Sequence, residues 1–486
     1  MKNGSIFPQR KRNFIPSALL FFILPLCSVR AAWISGRVQN AQPNDRVEVV
    51  VPRQYLDGRN ETFRTTTDAN QSFGVEVAVP EPQVVFFYFN GDKIAVFLSP
   101  HDTLILHTDV FQFPMRVQFG GKAGANNAIL QQYWRENPQD FNDFNNVRYK
   151  IGQWWVSIEE SAGDLMQKLP PEEYLKKMAY AQVNAYTLLE QYQTEHPNVL
   201  SRDFTEWLIT DIIYYRAFHL LIYGQVFGKM HQTEDSFFEV LDEIPIDQQI
   251  VSNDTYRQYM MAYLAYRQVK AGETGNFWNG MYTRAGDLLT HKSLACLRSD
   301  IIRTGFYGDQ YREMLPAYRD FFQTNPLHEY EPKISDLYQK LSRIAAGAAA
   351  PAFAGRTETG ESVTLAQFRG QVVYLNFWAS WCAACLKKME FFNEFSTELN
   401  QQGIQIVNVS IDEDAEKWHN ALLQYPSKGI HLIASSGTER NIAQLFGVEA
   451  VPQYFIIDTN GNLADKAASG QPNDIREKLL QTSKKQ

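Results

Sequence analysis

The chain has 486 residues, of which 44% are hydrophobic and 21% charged, with a formal net charge of −8. That length exceeds one ordinary core and predicts two to four domains, while the composition is that of a soluble globular protein and excludes a largely disordered or membrane-embedded chain. The acidic balance offers no basic face for a polynucleotide, so no nucleic-acid partner is expected.

Residues 1–31 read as an export signal. Lys2, Arg10, Lys11 and Arg12 supply positive charge, Phe14 to Leu26 an apolar run too short to span a bilayer comfortably, and Val29-Arg30-Ala31 a small-residue site for cleavage near Ala31 or Ala32. The expected location is therefore the periplasm or cell envelope. Cys27 offers the alternative of a lipid anchor, but Leu26 stands where a lipoprotein signal usually carries a small residue. Loss of the signal leaves Cys296, Cys382 and Cys385, an odd number that rules out a multi-disulfide framework. Of these three, only Cys382 and Cys385 stand close together in sequence.

Residues 33–120 alternate short apolar runs with turn signals. Ile34 to Val38, Val47 to Val51, Phe73 to Val79, Val84 to Phe89 and Ile94 to Leu98 are predicted strands, separated by Pro43-Asn44, Asp57-Gly58, Asn90-Gly91 and similar pairs. Asn90-Gly91 between two such runs is a strong hairpin signal. The spacing predicts a small all-β antiparallel sandwich that carries no catalytic constellation and serves in binding, spacing or dimerisation.

Residues 121–345 change to helical spacing, rich in Tyr, Trp and Leu. Glu172 to Gln193, Phe204 to Val226, Tyr256 to Val269, Tyr311 to Phe322 and Ile334 to Ile344 fit amphipathic helices, with Pro170-Pro171, Pro197, Pro245 and Pro326 as breakers. The expectation is an all-α domain in which Cys296 is a buried apolar thiol.

The small residues Ala345 to Ala350, ending in Pro351, read as a linker into an independent domain over residues 346–486. There strand and helix alternate. Val372 to Trp378 is a predicted buried strand, Ala383 to Leu399 a helix, Ile404 to Ile411 a strand, and Ala415 to Gln424 a helix. A strand near Leu432, a helix over Ile442 to Phe446, a strand over Tyr454 to Ile457, the turn Asn460-Gly461, a last strand and a terminal helix from about Asn473 follow. Such alternation predicts an α/β sheet with helices on both faces.

Between the first of these strands and its helix stands Trp381-Cys382-Ala383-Ala384-Cys385. Cys382 falls in the first helical turn, where unpaired N–H groups and the helix dipole favour a thiolate, and Cys385 lies one turn further in. Such a pair is fit for thiol–disulfide exchange through a mixed disulfide. A structural disulfide would not need the Trp-Cys lead, and half a zinc site would need two more ligands that no nearby C-x-x-C or H-x-x-x-H supplies.

Leu375-Asn376-Phe377-Trp378-Ala379-Ser380-Trp381-Cys382, followed by Gly447-Val448-Glu449-Ala450-Val451-Pro452 and Phe455-Ile456-Ile457-Asp458, resembles the thioredoxin fold of the TlpA/ResA-like disulfide oxidoreductases. Ala350-Pro351-Ala352-Phe353 and the turn at Thr359-Gly360 resemble that family's N-terminal hairpin. The resemblance implies that Cys382 attacks, that Cys385 resolves, that Val451 and a cis Pro452 bind substrate backbone, and that Trp381 covers the site. It further implies substrates that are proteins with disulfides, a membrane electron donor of the DsbD/CcdA type, and no cofactor or metal.

Two positions depart from that pattern. Asn376 replaces the buried aspartate of ordinary thioredoxin, and Lys388 stands where many TlpA-like proteins carry a glutamate. Lys388 is expected to point outward into solvent, since lysine is rarely buried. Two other readings remain open. One is an envelope binding or scaffold protein with an accessory redox domain. The other is a peroxiredoxin-like peroxidase, whose chemistry wants threonine and proline where this chain has Ala379-Ser380-Trp381.

Overall fold

A computed structural model describes residues 31–484 apart from 54–58, 137–145, 229–232, 273–276, 308–312, 326, 345–346, 435–440, 449–450 and 466–471. The expected export signal, including Cys27, lies outside the described residues except for Ala31. Among the described residues, no helix is long and apolar enough to cross a membrane.

The N-terminal region contains β1 (Ala31–Gln39), β2 (Arg46–Arg53), β3 (Arg59–Thr66), β4 (Ser72–Ala78), β5 (Gln83–Phe89), β6 (Asp92–Leu98), β7 (Thr103–Asp109) and β8 (Val117–Gly120). They form two sheets, ordered β4-β1-β7-β8 and β3-β2-β5-β6. Alternate residues of each strand point inward, so Ile34, Val47, Val49, Val75, Val77, Val85 and Phe87 meet in one core between the sheets. Asn90 and Gly91 form the two-residue turn between β5 and β6, both with positive φ, as the right-handed strand twist requires.

The expected sandwich is not wholly antiparallel, because β1 runs parallel to β7 with Ile34 opposite Leu104. Polar β3 was not among the predicted strands. It pairs with β2 so that Arg64 faces Glu48, whose carboxylate also receives Arg46, and these exposed ion pairs replace apolar alternation on the outer face.

Helix α1 (Gly124–Glu136) closes one sheet edge. The Asn127 side chain accepts from Phe97 N–H at 2.7 Å and donates to Phe97 O at 2.9 Å, taking the place of a neighbouring strand beside β6.

The central region is not all-α. A hairpin of β9 (Asn146–Ile151) and β10 (Trp154–Glu159) precedes its main helices, turning at Gly152 with φ +58°. Ile151, Val156 and Ile158 bury one face of it, a period-two pattern within a helical stretch of sequence. The helices are α2 (Glu160–Lys168), α3 (Pro171–Glu195), α4 (Arg202–Ile222), α5 (Asp254–Lys270), α6 (Phe277–Leu288), α7 (His291–Tyr307), α8 (Leu315–Thr324) and α9 (Glu331–Ser342). Ser201 and Asn253 cap α4 and α5 by accepting N–H bonds from Phe204 and Tyr256, and α4 runs on into a π turn over Tyr223–Phe227. The abundant aromatics pack between elements: Tyr174 stacks on Tyr223 at 4.5 Å. Cys296 is fully buried in α7, and burial pushes its thiol up to about 12.

The C-terminal region comprises β11 (Ala354–Arg356), β12 (Ser362–Thr364), β13 (Val372–Trp378), α10 (Ala383–Gln401), β14 (Ile404–Ser410), α11 (Ala415–Gln424), β15 (Ile430–Ile433), α12 (Ile442–Leu445), β16 (Gln453–Ile457), β17 (Leu463–Asp465) and α13 (Pro472–Lys484). One mixed sheet, ordered β12-β11-β15-β14-β13-β16-β17, has β13 central, parallel to β14 and antiparallel to β16. Val372 and Tyr374 face Leu399 of α10 and Ile475 and Leu479 of α13. Val373, Leu375 and Phe377 face the other way, into a core that includes Phe446 and extends without a break into α9 and the central helices.

The expected linker is accordingly an ordered part of this region where it is described. Gly347 N–H donates to Leu463 O, Ala350 N–H to Gly461 O, and Leu463 N–H to Ala348 O.

Candidate redox site

β13 is buried along its whole length, and its seven consecutive nonpolar or neutral side chains fit a central strand covered on both faces. It delivers the chain to Ala379, Ser380 and Trp381, after which Cys382 serves as the N-cap of α10. Cys382 and Cys385 are joined in a disulfide with Cα atoms 5.2 Å apart. The Cys385 N–H points at Cys382 Sγ at 3.2 Å. A helix-end N–H directed at this sulfur stabilises negative charge on it once the bond is opened.

Access to the two sulfurs differs. Both are buried, but Cys382 keeps 8% of its surface exposed against 1% for Cys385, so the first is the more accessible. Trp381 beside them is 68% exposed, a large apolar surface at the mouth of the site. Behind the pair, Trp378, Met389, Trp418 and Leu422 form an apolar wall against which Val451 also packs. The antiparallel register of β16 on β13, with Gln453 opposite Phe377, brings Val451 and Pro452 to the same end of the sheet. The Val451–Pro452 peptide is cis, as the family resemblance implied.

The two departures from the family pattern have definite places. Asn376 is buried in β13 and donates from Nδ2 to Asn408 Oδ1 at 2.8 Å, while Asn408 donates to Lys428 O at 3.3 Å. An amide pair therefore occupies the position of the aspartate. Lys388 does not point freely into solvent: it is half-buried, with Nζ 5.5 Å from the centre of the Tyr454 ring, which stacks on Tyr374. Cation–π attraction and burial of the lysine stem against aromatic surface explain the difference. Glu390 is exposed on the same helix.

One polar element was not foreseen. Asp412, buried just beyond β14, accepts from Ser380 N–H at 2.8 Å, Ser380 Oγ at 2.8 Å and Ser410 Oγ at 2.6 Å. It ties the loop that carries Trp381 and Cys382 to the neighbouring strand. His419 and His431 take local partners, Glu358 and the Ser427 carbonyl, and neither belongs to the apolar wall around the cysteines. Among the described residues no group of three or more potential metal ligands converges.

Residues 345–480 match the Redoxin family. The thiol-disulfide oxidoreductase ResA of one Bacillus cereus strain is 29% identical over 143 residues, a match covering 29% of this chain and 81% of ResA. The ResA of a second Bacillus cereus strain is 30% identical over 139 residues, covering 29% of this chain and 79% of that protein. A solved structure of a putative thiol:disulfide interchange protein DsbE from Chlorobium tepidum is 31% identical and covers 28% of this chain and 96% of that one, with a TM-score of 0.26.

Proposed function

Since its C-terminal region makes this chain a member of the ResA-like thiol–disulfide oxidoreductases, we propose that it is an exported reductant of protein disulfides, working in the periplasm. The observation that carries the reading is the asymmetry of the cysteine pair. Cys382 is the more accessible of the two and has an N–H aimed at its sulfur, and Cys385 is enclosed behind it.

In the reduced protein the Cys382 thiolate attacks one sulfur of a substrate disulfide. That S–S bond breaks, a mixed disulfide forms, and the substrate's other sulfur leaves as a thiolate and takes up a proton. Cys385 then loses its proton and attacks Cys382 Sγ, the mixed disulfide breaks, and the second substrate thiolate is released. The second thiolate takes the proton given up by Cys385 and the first takes one from solvent, so the substrate gains two electrons and two protons, and the protein is left with the Cys382–Cys385 disulfide seen in the structure. In this reading Val451 and Pro452 hold substrate backbone beside the sulfurs, and Trp381 presents apolar surface to it.

The oxidised pair needs two electrons before another turnover, and a membrane donor of the DsbD/CcdA type supplies them in this scheme. Export rests on the basic and apolar pattern of residues 1–31.

A redox titration combined with trapping tests the reading. A midpoint potential well below the glutathione poise, with substrate proteins captured as mixed disulfides on Cys385→Ala, supports a reductant. A strongly oxidising potential reverses the direction, and exchange activity retained in Cys382→Ser removes the mechanism.

A further inference from the structure

The N-terminal sandwich carries a cleft of about 800 Å³ that the redox chemistry does not use. It runs along β8, the last strand of its sheet, which among the described residues pairs only with β7. Arg116, Val117, Gln118 and Phe119 line it in unbroken succession. Successive strand residues point to opposite faces, so a cleft that meets all of them follows the strand's edge. In an antiparallel pair alternate residues turn their N–H and C=O groups away from the partner; on β8 the first residue of α1, Gly124, lies against the Phe119 carbonyl, so the edge left open to another chain is the stretch through Arg116 and Val117. The β6 edge of the other sheet is closed by Asn127.

Charge is concentrated on the same edge. Arg37, Arg116 and Arg135 converge on the cleft together with His107, and none of the three guanidinium groups has a carboxylate partner among the described residues. Asp109, the one carboxylate in the lining among the described residues, is engaged elsewhere, accepting from Asn40 Nδ2 at 2.5 Å and Phe111 N–H at 2.8 Å. Arg37, His107 and Gln118 stand side by side across β1, β7 and β8, so their row continues directly onto any strand added beyond β8. In a chain of net charge −8, arginines without a carboxylate partner among the described residues, gathered beside a partly open strand edge, select an anion of extended shape.

We propose that β8 takes up an extended acidic segment of a partner polypeptide as an added strand. Backbone pairing fixes its register, and the guanidinium forks grip its carboxylates. The interaction involves neither cysteine and stands apart from the redox reading.

The test measures fluorescence anisotropy of a short labelled peptide of alternating glutamate and threonine with the full-length protein. Saturable binding is expected, weakened about tenfold or more in the Arg37→Gln/Arg116→Gln double variant and by added salt. It should be abolished when alternate peptide nitrogens are methylated and unchanged in Cys382→Ser/Cys385→Ser. All three arginines are exposed, so the variants should keep the parent's melting temperature. Absence of saturation, equal binding by the double variant, or equal binding of the methylated peptide would overturn the proposal. Tighter binding of an oligogalacturonate than of the peptide would overturn it as well, by assigning the cleft to acidic glycans.

Discussion

Three donors converge on the buried carboxylate of Asp412, and two of them belong to Ser380, two residues before Cys382. Replacing it with alanine leaves those donors facing a void, a loss of about 1–3 kcal/mol for each that finds no water. Asp412→Asn keeps the shape but turns an NH₂ group toward groups that are themselves donors. We expect both variants to lower stability in urea titrations and to shift the midpoint potential of the dithiol, because the loop that positions Cys382 loses its tie. Unchanged stability and potential in Asp412→Asn would show that the tie does not hold the loop. The cysteine pair was legible in the sequence because its spacing and its strand-to-helix setting are local. Asp412 was not, since its partner Ser380 lies 32 positions away and becomes a neighbour only through the parallel register that sets Trp378 opposite Ser410. Lys388 was misjudged for a related reason: the aromatic surface that receives its ammonium comes from β16, which no local pattern brings to α10.

Elements were readable where local chemistry decides them and obscure where a distant partner does. β13 and α11 match their predicted bounds because a run that is apolar apart from Asn376 and a capped amphipathic helix carry their own signal, Asp414 accepting from the N–H groups of Glu416 and Lys417. β3 lacked such a signal, since its polar residues become a strand face only when Glu48 stands opposite Arg64. The junction of α9 with α12 is likewise invisible in sequence. Gly447, just past α12, has φ +62°, and a Cβ there would lie 3.3 Å from Lys340 Cε and 3.7 Å from Ile344 Cδ1. Gly447→Ala therefore combines a disfavoured backbone conformation with crowding between two regions. We expect it to destabilise the protein by about 1–2 kcal/mol in chemical denaturation. Full wild-type stability in this variant would mean that the contact is loose.

On the scale of the whole molecule, the central helices and the redox region share one apolar core, while the N-terminal sandwich has its own. Cooperative melting follows continuous cores, so calorimetry should show the helical and redox regions unfolding in one transition. His219 allows that transition to be moved from one side. Its imidazole is enclosed in α4 beside the hydroxyl of Tyr174, 3.5 Å from Nδ1, and the ring of Tyr215, and burial lowers it from 6.5 to about 4. Between those pH values the unfolded chain binds a proton that the folded chain refuses. The contribution of neutral His219 is therefore complete above pH 6.5 and is lost as pH falls toward 4. Across that window it amounts to about 3 kcal/mol. In His219→Phe the ring stays apolar at every pH, so the stability of wild type relative to this variant should fall by about 2–3 kcal/mol between pH 7 and pH 4.5. Because the core is continuous, acidification of the wild type should lower the melting of the redox region together with that of the helices, although His219 lies in the central helical region. Two separately resolved transitions, with only the helical one responding to pH, would show that the redox region folds on its own.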